Sequence, residues 1–259
     1  MKILVTGATG FLGRNLTEEL DKNKFTYYIL SRKKNKDFTG SLFDKTFLLK
    51  ATKNIDIIMH LAGSDKGDVF KINYEGTKNL VEAAKENKVK KIIYISSHDI
   101  TTDTDYGKSK LKAEEAIKES KINYIILRPT VFYGKDNNKD IGKLIEIIKK
   151  YKFVPIPGNG NFKLQPLYVK DLVNIIIKSI KLNNKEYFIA GSQQLTFNDL
   201  VDIISKNFSK KIYKIKIPKF IVKLKNKTLL HDKICNINEI KKDFNFTPLS
   251  FEEGINLIT

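Results

Sequence analysis

The sequence predicts an α/β fold: a doubly wound parallel sheet followed by a small C-terminal lobe. Three observations predict it. Apolar runs of strand length alternate with segments of helical spacing through the first part of the chain. The first of these runs, Lys2–Thr6, leads straight into glycines at Gly7, Gly10 and Gly13. After Gly134 the alternation loosens into prolines, loops and shorter elements.

Lys2–Thr6, Thr26–Ser31, Ile55–Leu61, Lys91–Ser96 and Tyr124–Arg128 read as strands. Between them, Arg14–Asp21, Val69–Glu86 and Lys108–Glu119 repeat apolar residues every three or four positions and read as helices. Such strand–helix–strand units pair in parallel, and right-handed crossovers then place helices on both faces. Further on, 136–138 reads as a loop, Ile141–Lys150 as a helix, and 154–160 as turn-rich. Leu172–Leu182 reads as a helix returning to the sheet and Tyr187–Ala190 as another strand. The tail holds a helix start near Thr196, a strand-like alternation at Ile212–Ile217 and a basic helix after Pro218. The expected division is a core over 1–134 with returns near 164–190, and a lobe from 135–163 and 191–259.

Each of the first three glycines answers a separate need. Gly7 permits a tight turn at the strand end, Gly10 leaves backbone bare for a pyrophosphate, and Gly13 lets the next helix pack closely. That helix aims its N-terminal N–H groups and positive dipole end at the same place. A strand, this turn and an amphipathic helix together form a Rossmann-type dinucleotide site.

Composition narrows the setting. With 259 residues and 41% hydrophobic residues, the chain can bury a full core. No apolar run approaches the ~20 residues of a membrane span. Met1-Lys2 enters the first strand directly, without room for a signal peptide. A single cysteine, Cys235, excludes an internal disulfide framework, and a cytoplasmic protein is expected. The net charge of +18 is spread over lysines along the chain, alongside abundant asparagine and isoleucine. It reads as a compositional habit that also steers anionic ligands, and no nucleic-acid recognition motif accompanies it.

Thr6-Gly7-Ala8-Thr9-Gly10-Phe11-Leu12-Gly13 resembles the short-chain dehydrogenase/reductase superfamily, in its extended and atypical branch of NAD-dependent epimerase/dehydratases. The resemblance continues through Leu61-Ala62-Gly63, Asn73-Tyr74-Glu75-Gly76-Thr77, Ile95-Ser96-Ser97, Tyr106-Gly107-Lys108-Ser109-Lys110, Arg128-Pro129-Thr130-Val131-Phe132-Tyr133-Gly134 and Tyr168-Val169-Lys170-Asp171. It implies cofactor contacts at Gly7, Thr9, Gly10, Phe11, Leu12, Gly13, Arg14, Ser31, Arg32, Leu42, Leu61, Ala62, Gly63, Asn73, Ser96, Pro129, Thr130 and Val131, with Tyr106 and Lys110 on the nicotinamide ribose side. It also implies a late lobe closing over a nucleotide-sugar substrate and a homodimer packed through the helix of Tyr106 and the one before it.

Tyr106 and Lys110 stand one helical turn apart, on a face continued by Ser109, Ala113 and Ile117. A phenol and an ammonium on a packed face suit proton transfer better than packing. A nearby ammonium lowers a phenol's pKa from its usual value near 10 towards neutrality. Ser97, at the carboxyl end of its strand, is the third catalytic candidate, orienting the reacting oxygen. Only eight residues separate Ser97 from Tyr106, fewer than in typical extended members, so the pocket is expected to differ. Asn73 either positions water and backbone near Lys110 or caps packing. Sugar dehydratases of the superfamily carry an Asp-Glu pair after the serine, whereas here His98-Asp99 follows, which disfavours dehydration. His60 and His231 read as isolated, no metal-ligand spacing occurs, and Cys235 reads as a bystander thiol.

The second strand ends Leu30-Ser31-Arg32-Lys33-Lys34, without the acid that would bond a ribose 2′-hydroxyl and repel a 2′-phosphate. Arg32 and Arg14 offer guanidinium groups for that phosphate, so NADP(H) is favoured over NAD(H). Ser41-Leu42 stands where the family commonly has an acid and an apolar residue flanking adenine. The expected function is a reductase or epimerase of a nucleotide sugar or related carbonyl compound. The rival is a non-catalytic NADP(H)-binding redox sensor or complex subunit, which Leu164-Gln165-Pro166 favours and the retained Tyr106/Lys110 pair disfavours.

Overall fold

The computed structural model describes residues 1–137, 139–225 and 229–258. The chain forms two compact units, Met1–Arg128 with Val173–Tyr187, and Pro129–Leu172 with Phe188–Thr259. In chain order the elements begin β1 (Lys2–Thr6), α1 (Phe11–Lys22), β2 (Thr26–Ser31), β3 (Phe38–Thr39), α2 (Lys45–Thr52) and β4 (Ile57–His60). A π-helical turn (Phe70–Glu75), α3 (Gly76–Glu86), β5 (Lys91–Ile95), a 3-10 turn (His98–Thr101), α4 (Asp105–Glu119) and β6 (Asn123–Pro129) follow. Then come β7 (Phe132–Tyr133), α5 (Asp140–Lys150), β8 (Phe153–Pro157), β9 (Lys163–Leu164), β10 (Leu167–Tyr168), α6 (Val169–Lys178) and β11 (Lys185–Ile189). β12 (Leu195–Thr196), α7 (Phe197–Asn207), β13 (Tyr213–Ile217), α8 (Lys219–Lys225), α9 (Asn238–Phe244) and α10 (Phe251–Asn256) complete the chain.

The main sheet runs β11-β6-β5-β4-β1-β2-β3, and the pairings from β6 through to β3 are parallel. The order reverses between β1 and β4, which opens a crevice at the carboxyl ends of those strands. β4 and β5 are buried at every position, as strands covered by helices on both faces must be. α1 buries Leu12, Leu16 and Leu20, the apolar stripe the spacing predicts, and each full leucine burial contributes about 2 kcal/mol.

Most boundaries agree with the sequence to within a few residues. The single helix expected over 69–86 is instead a π-turn followed by α3, because the segment adds a residue to its turn at Asn73. The turn-rich reading of 154–160 overlaps β8, whose prolines tolerate a two-stranded ribbon with β13. Asn138 of the expected loop lies outside the described residues. α2, α9 and α10 were not foreseen, although Asp44 caps α2 and the Ser250/Glu253 pair caps α10.

In the second unit, Tyr133 is fully buried, edge-on to Phe251 at 5.0 Å, and Gly254 leaves room for its hydroxyl. Asp171 accepts the Leu249 N–H at 2.9 Å, which ties the C-terminal segment in, and burial raises its pKa to about 6. Gln165 is a buried brace, donating to Gly191 O at 2.7 Å and accepting from Cys235 N at 3.0 Å.

In the first unit, fully buried Glu114 on α4 takes a two-point bond from Arg128 of β6, with Nε–Oε1 at 3.0 Å, and Arg128 also pairs with Glu186. This clamp fixes α4 against the sheet. Replacing Glu114 with alanine takes the two-point bond away from a largely buried guanidinium. A loss of about 2–4 kcal/mol in urea unfolding is expected; a loss below about 0.5 kcal/mol would mean the clamp does not anchor α4.

Candidate active site

The site is built at the carboxyl ends of β1, β4 and β5. Gly7 has φ +74°, and a side chain there would strike Ala62 N and Leu61 C at 2.7 Å. Gly13 meets the turn itself, since an added Cβ would lie 2.2 Å from Gly7 O. At Gly10 an added Cβ would approach only Gly7 O, at 3.3 Å, so its outer side is open. The first bond inside α1 runs from Arg14 N–H to Gly10 O at 2.9 Å, and no side chain caps this helix. α2, α4, α7 and α10 are capped by Asp44, Thr104, Thr196 and Ser250, whereas α3, α5 and α9 are uncapped like α1, which alone among these follows the glycine turn. The first-turn N–H groups of α1 are thus presented as an anion cradle, with no acid in the turn to oppose one. Those residues fit a dinucleotide pyrophosphate.

Arg14 is exposed, and its Nη1 donates to Thr9 O at 3.1 Å, folding the guanidinium back over the loop. Ser31 accepts the Lys33 N–H at 3.1 Å, and Arg32 is exposed beside it. Leu42 packs on the start of α3, where an added Cβ on Gly76 would lie 3.3 Å from it.

Lys110 is 4% exposed, its Nζ donating to Ile95 O at 2.9 Å and lying 4.7 Å from the centre of the Tyr94 ring. Gly63 makes room for it: an added Cβ would sit 3.1 Å from Nζ and 3.0 Å from Asn73 Oδ1. Burial pulls the Lys110 pKa from 10.5 down to about 8, with the Glu114 carboxylate opposing. Asn73, fully buried, accepts from Ser64 N at 2.8 Å and donates to Ser64 O at 2.9 Å and Ser109 Oγ at 3.0 Å. Ser109 Oγ donates to Tyr106 O at 2.8 Å. Asn73 therefore holds the loop after β4 against the helix of Tyr106 and Lys110.

Ser97 Oγ accepts the Asp99 N–H at 3.1 Å and caps the 3-10 turn, which leaves its hydroxyl hydrogen to donate elsewhere. Ser96 Oγ is buried and has no partner among the described residues. The short connection to Tyr106 closes on itself: an added Cβ on Gly107 would lie 2.1 Å from Asp99 O, and Thr104 Oγ1 accepts the Gly107 N–H at 3.1 Å. Pro129, Thr130 and Val131 belong to the second unit, where Thr130 N donates to Ile189 O at 2.8 Å and Val131 O accepts from Leu167 N at 2.9 Å.

His60 is not isolated. It is 1% exposed, with Thr6 Oγ1 2.6 Å from Nδ1 and Thr77 Oγ1 2.9 Å from Nε2, and it stacks on Tyr94. Thr77 gives its hydrogen to Asn73 O at 2.5 Å, so it accepts from His60 Nε2–H. Thr6 accepts the Ala62 N–H at 3.2 Å and donates to Nδ1. One neutral tautomer thus links the glycine turn to Asn73. The parallel register that sets Thr6 beside His60 is the signal that could have found it. Among the described residues no cluster could hold a metal ion, and no helix is long and apolar enough to cross a membrane. Burial raises the Cys235 thiol pKa to about 11, an inert thiol.

A family model described as the NAD dependent epimerase/dehydratase family matches residues 3–190. The chain belongs to this family. It is 28% identical over 256 residues to the N-acetyl-alpha-D-glucosaminyl-diphospho-ditrans,octacis-undecaprenol 4-epimerase of Escherichia coli O157:H7, covering 83% of this chain and 75% of the relative. Among solved structures it is similar to a UDP-glucose 4-epimerase with UDP-glucose from Thermotoga maritima, with TM-score 0.87, 20% identity and coverage of 100% and 97%. It is also similar to a dTDP-glucose 4,6-dehydratase from Bacillus anthracis in complex with NAD, with TM-score 0.83, 20% identity and coverage of 100% and 95%. At these identities the structures speak to the Rossmann-type fold alone.

His60 makes the first unit sensitive to acid. Burial holds its pKa down at about 3 against 6.5 when exposed, with Lys110 adding to the effect. The unfolded chain takes up a proton below about pH 6.5 and the folded protein does not, so stability falls as pH drops towards 3. The expected slope from this residue is about 1.4 kcal/mol per pH unit between pH 6 and 4. In His60→Gln that slope should lessen by one proton's worth in urea unfolding across the range; an unchanged slope would contradict the buried neutral ring.

Proposed function

We propose that this protein is a dinucleotide-dependent epimerase or reductase of a nucleotide-linked sugar, working through Ser97, Tyr106 and Lys110. The observation that carries the reading is the buried Lys110 ammonium, held by Ile95 O one helical turn from Tyr106. Nothing in packing requires a charge there. A pKa near 8 keeps the lysine cationic at neutral pH while making it costly. A cation so placed favours the phenolate of Tyr106 and lets it take a hydroxyl proton from substrate. Ser97 keeps a hydrogen to donate to the same oxygen. A bound dinucleotide, its pyrophosphate held by Gly7, Gly10, Gly13 and the α1 N-terminus, would supply the hydride acceptor or donor.

Dehydration is left out of the reading because no carboxylate pair follows Ser97. Asp99 sits in the capped 3-10 turn, and His98 beside it is buried. The sensor reading loses its main support, since Gln165 is a brace of its own unit. NADP(H) over NAD(H) remains our proposal, resting on Arg32 and on the missing acid at the end of β2.

Tyr106→Phe and Lys110→Met should each lower kcat by about 10²–10⁴-fold on UDP-N-acetylglucosamine, UDP-glucose or their 4-keto forms. Lys110→Met should also raise stability without cofactor by about 1–2 kcal/mol in urea at pH 7, since a depression of this size costs about 3 kcal/mol and the Ile95 bond returns part of it. Undiminished turnover in both variants, or none by the parent on any keto sugar despite tight cofactor binding, would overturn the enzyme reading. Arg32→Glu should weaken NADPH binding about 10–100-fold in titration calorimetry and leave NADH within about twofold; equal effects on both would remove Arg32 from 2′-phosphate recognition.

A further inference from the structure

The ribbon of β8 and β13 turns an apolar face outward. Phe153 pairs with Tyr213, Pro155 with Ile215 and Pro157 with Ile217. Val154 and Ile156 alternate inward and are fully buried, while Lys214 reaches Asp202 on α7 at 2.7 Å. On the outer side Phe153, Tyr213 and Ile215 are 55%, 53% and 50% exposed, and the two rings lie 5.7 Å apart. Phe220 follows at the start of α8, 68% exposed and the most exposed large apolar side chain among the described residues. Exposed apolar residues clustered in this way mark a contact surface.

Both stretches of chain that carry the ribbon are free of acids, and Asp202 just before the second is engaged by Lys214. Residues 203–231 hold nine lysines and no aspartate or glutamate, and residues 147–170 hold no acid either. Lys152, Lys211, Lys216 and Lys219 are exposed around the ribbon. Elsewhere lysines lie against acids, as Lys22, Lys45, Lys90 and Lys108 do with Glu18, Glu82, Asp56 and Asp103, and Lys149 and Lys214 with Glu146 and Asp202. A basic rim around aromatic and aliphatic side chains has one partner that uses both parts. Nucleic acid would take the lysines and leave Ile215 and the prolines with nothing to bury against. A second copy of the chain would set lysine against lysine. An anionic bilayer takes the rings and isoleucines into its headgroup boundary and pairs the lysines with lipid phosphate.

We propose that this face docks the protein on an anionic lipid surface, independently of the reaction at Lys110. The chain has no tryptophan, so Phe220→Trp gives a reporter at one place. With vesicles of phosphatidylcholine carrying about 30% phosphatidylglycerol, its emission should shift to the blue, and the full-length parent should co-sediment at least about tenfold more than with phosphatidylcholine alone. Ile215→Ser combined with Phe220→Ser, and separately Lys211→Glu combined with Lys219→Glu, should each reduce that partition about tenfold, with melting temperature and dinucleotide affinity unchanged. Equal sedimentation with both vesicle types, or partition untouched in both double variants, would overturn the proposal. So would a dimer by light scattering that the Ile215/Phe220 variant dissolves, or displacement of the protein from vesicles by single-stranded RNA competing for the same lysines.

Discussion

A buried ammonium sets the terms for the first unit. Lys110 can lie under the surface only because Gly63 has no side chain, because Ile95 O accepts a hydrogen bond from Nζ and because the Tyr94 ring lies beneath it. Gly63 follows the end of β4 and both Ile95 and Tyr94 lie at the end of β5, while the helix that carries the lysine is clamped separately by Glu114 and Arg128. A charge removed from water at a cost of a few kcal/mol persists only where its surroundings are over-determined. Here those surroundings include the glycine turn, through Thr6, His60, Thr77 and Asn73. The glycine turn and the helix of Tyr106 and Lys110 are therefore one hydrogen-bonded piece.

The helix ends tell a parallel story. Four helices place a serine, threonine or aspartate at their first turn, whereas α1, like α3, α5 and α9, has no side-chain cap. An uncapped helix start costs stability of about 1 kcal/mol relative to a capped one, and at α1 the open N–H groups face the glycine turn. The same economy explains the short segment after Ser97, where the serine caps a 3-10 turn and Gly107 lets that turn seat against α4. A longer loop would leave more chain over the pocket.

The parallel sheet and the positions of the glycine turn and of Tyr106 and Lys110 were legible because each leaves a periodic or covalent mark: alternating elements, a strand running into glycines, an i,i+4 pair. His60 was not, since a histidine at the end of an apolar strand gains its meaning from Thr6 one strand away and Thr77 on the next helix. The π-turn around Asn73 was hidden by a spacing that suits an unbroken helix. The ribbon of β8 and β13 was masked by Pro155 and Pro157, which read as turn residues. Chain-wide lysine content likewise hid the acid-free stretches, which matter only where an apolar face lies between them.

The most direct test is the proton affinity of Lys110 itself. Heteronuclear NMR of lysine side-chain Cε and Hε, with the Lys110 resonance assigned by its loss in Lys110→Met, follows its titration in the cofactor-free protein. A midpoint near 8 is expected from burial against Ile95 O and Tyr94. A midpoint above 10, as for a solvated lysine, would contradict the buried ammonium on which the site is built.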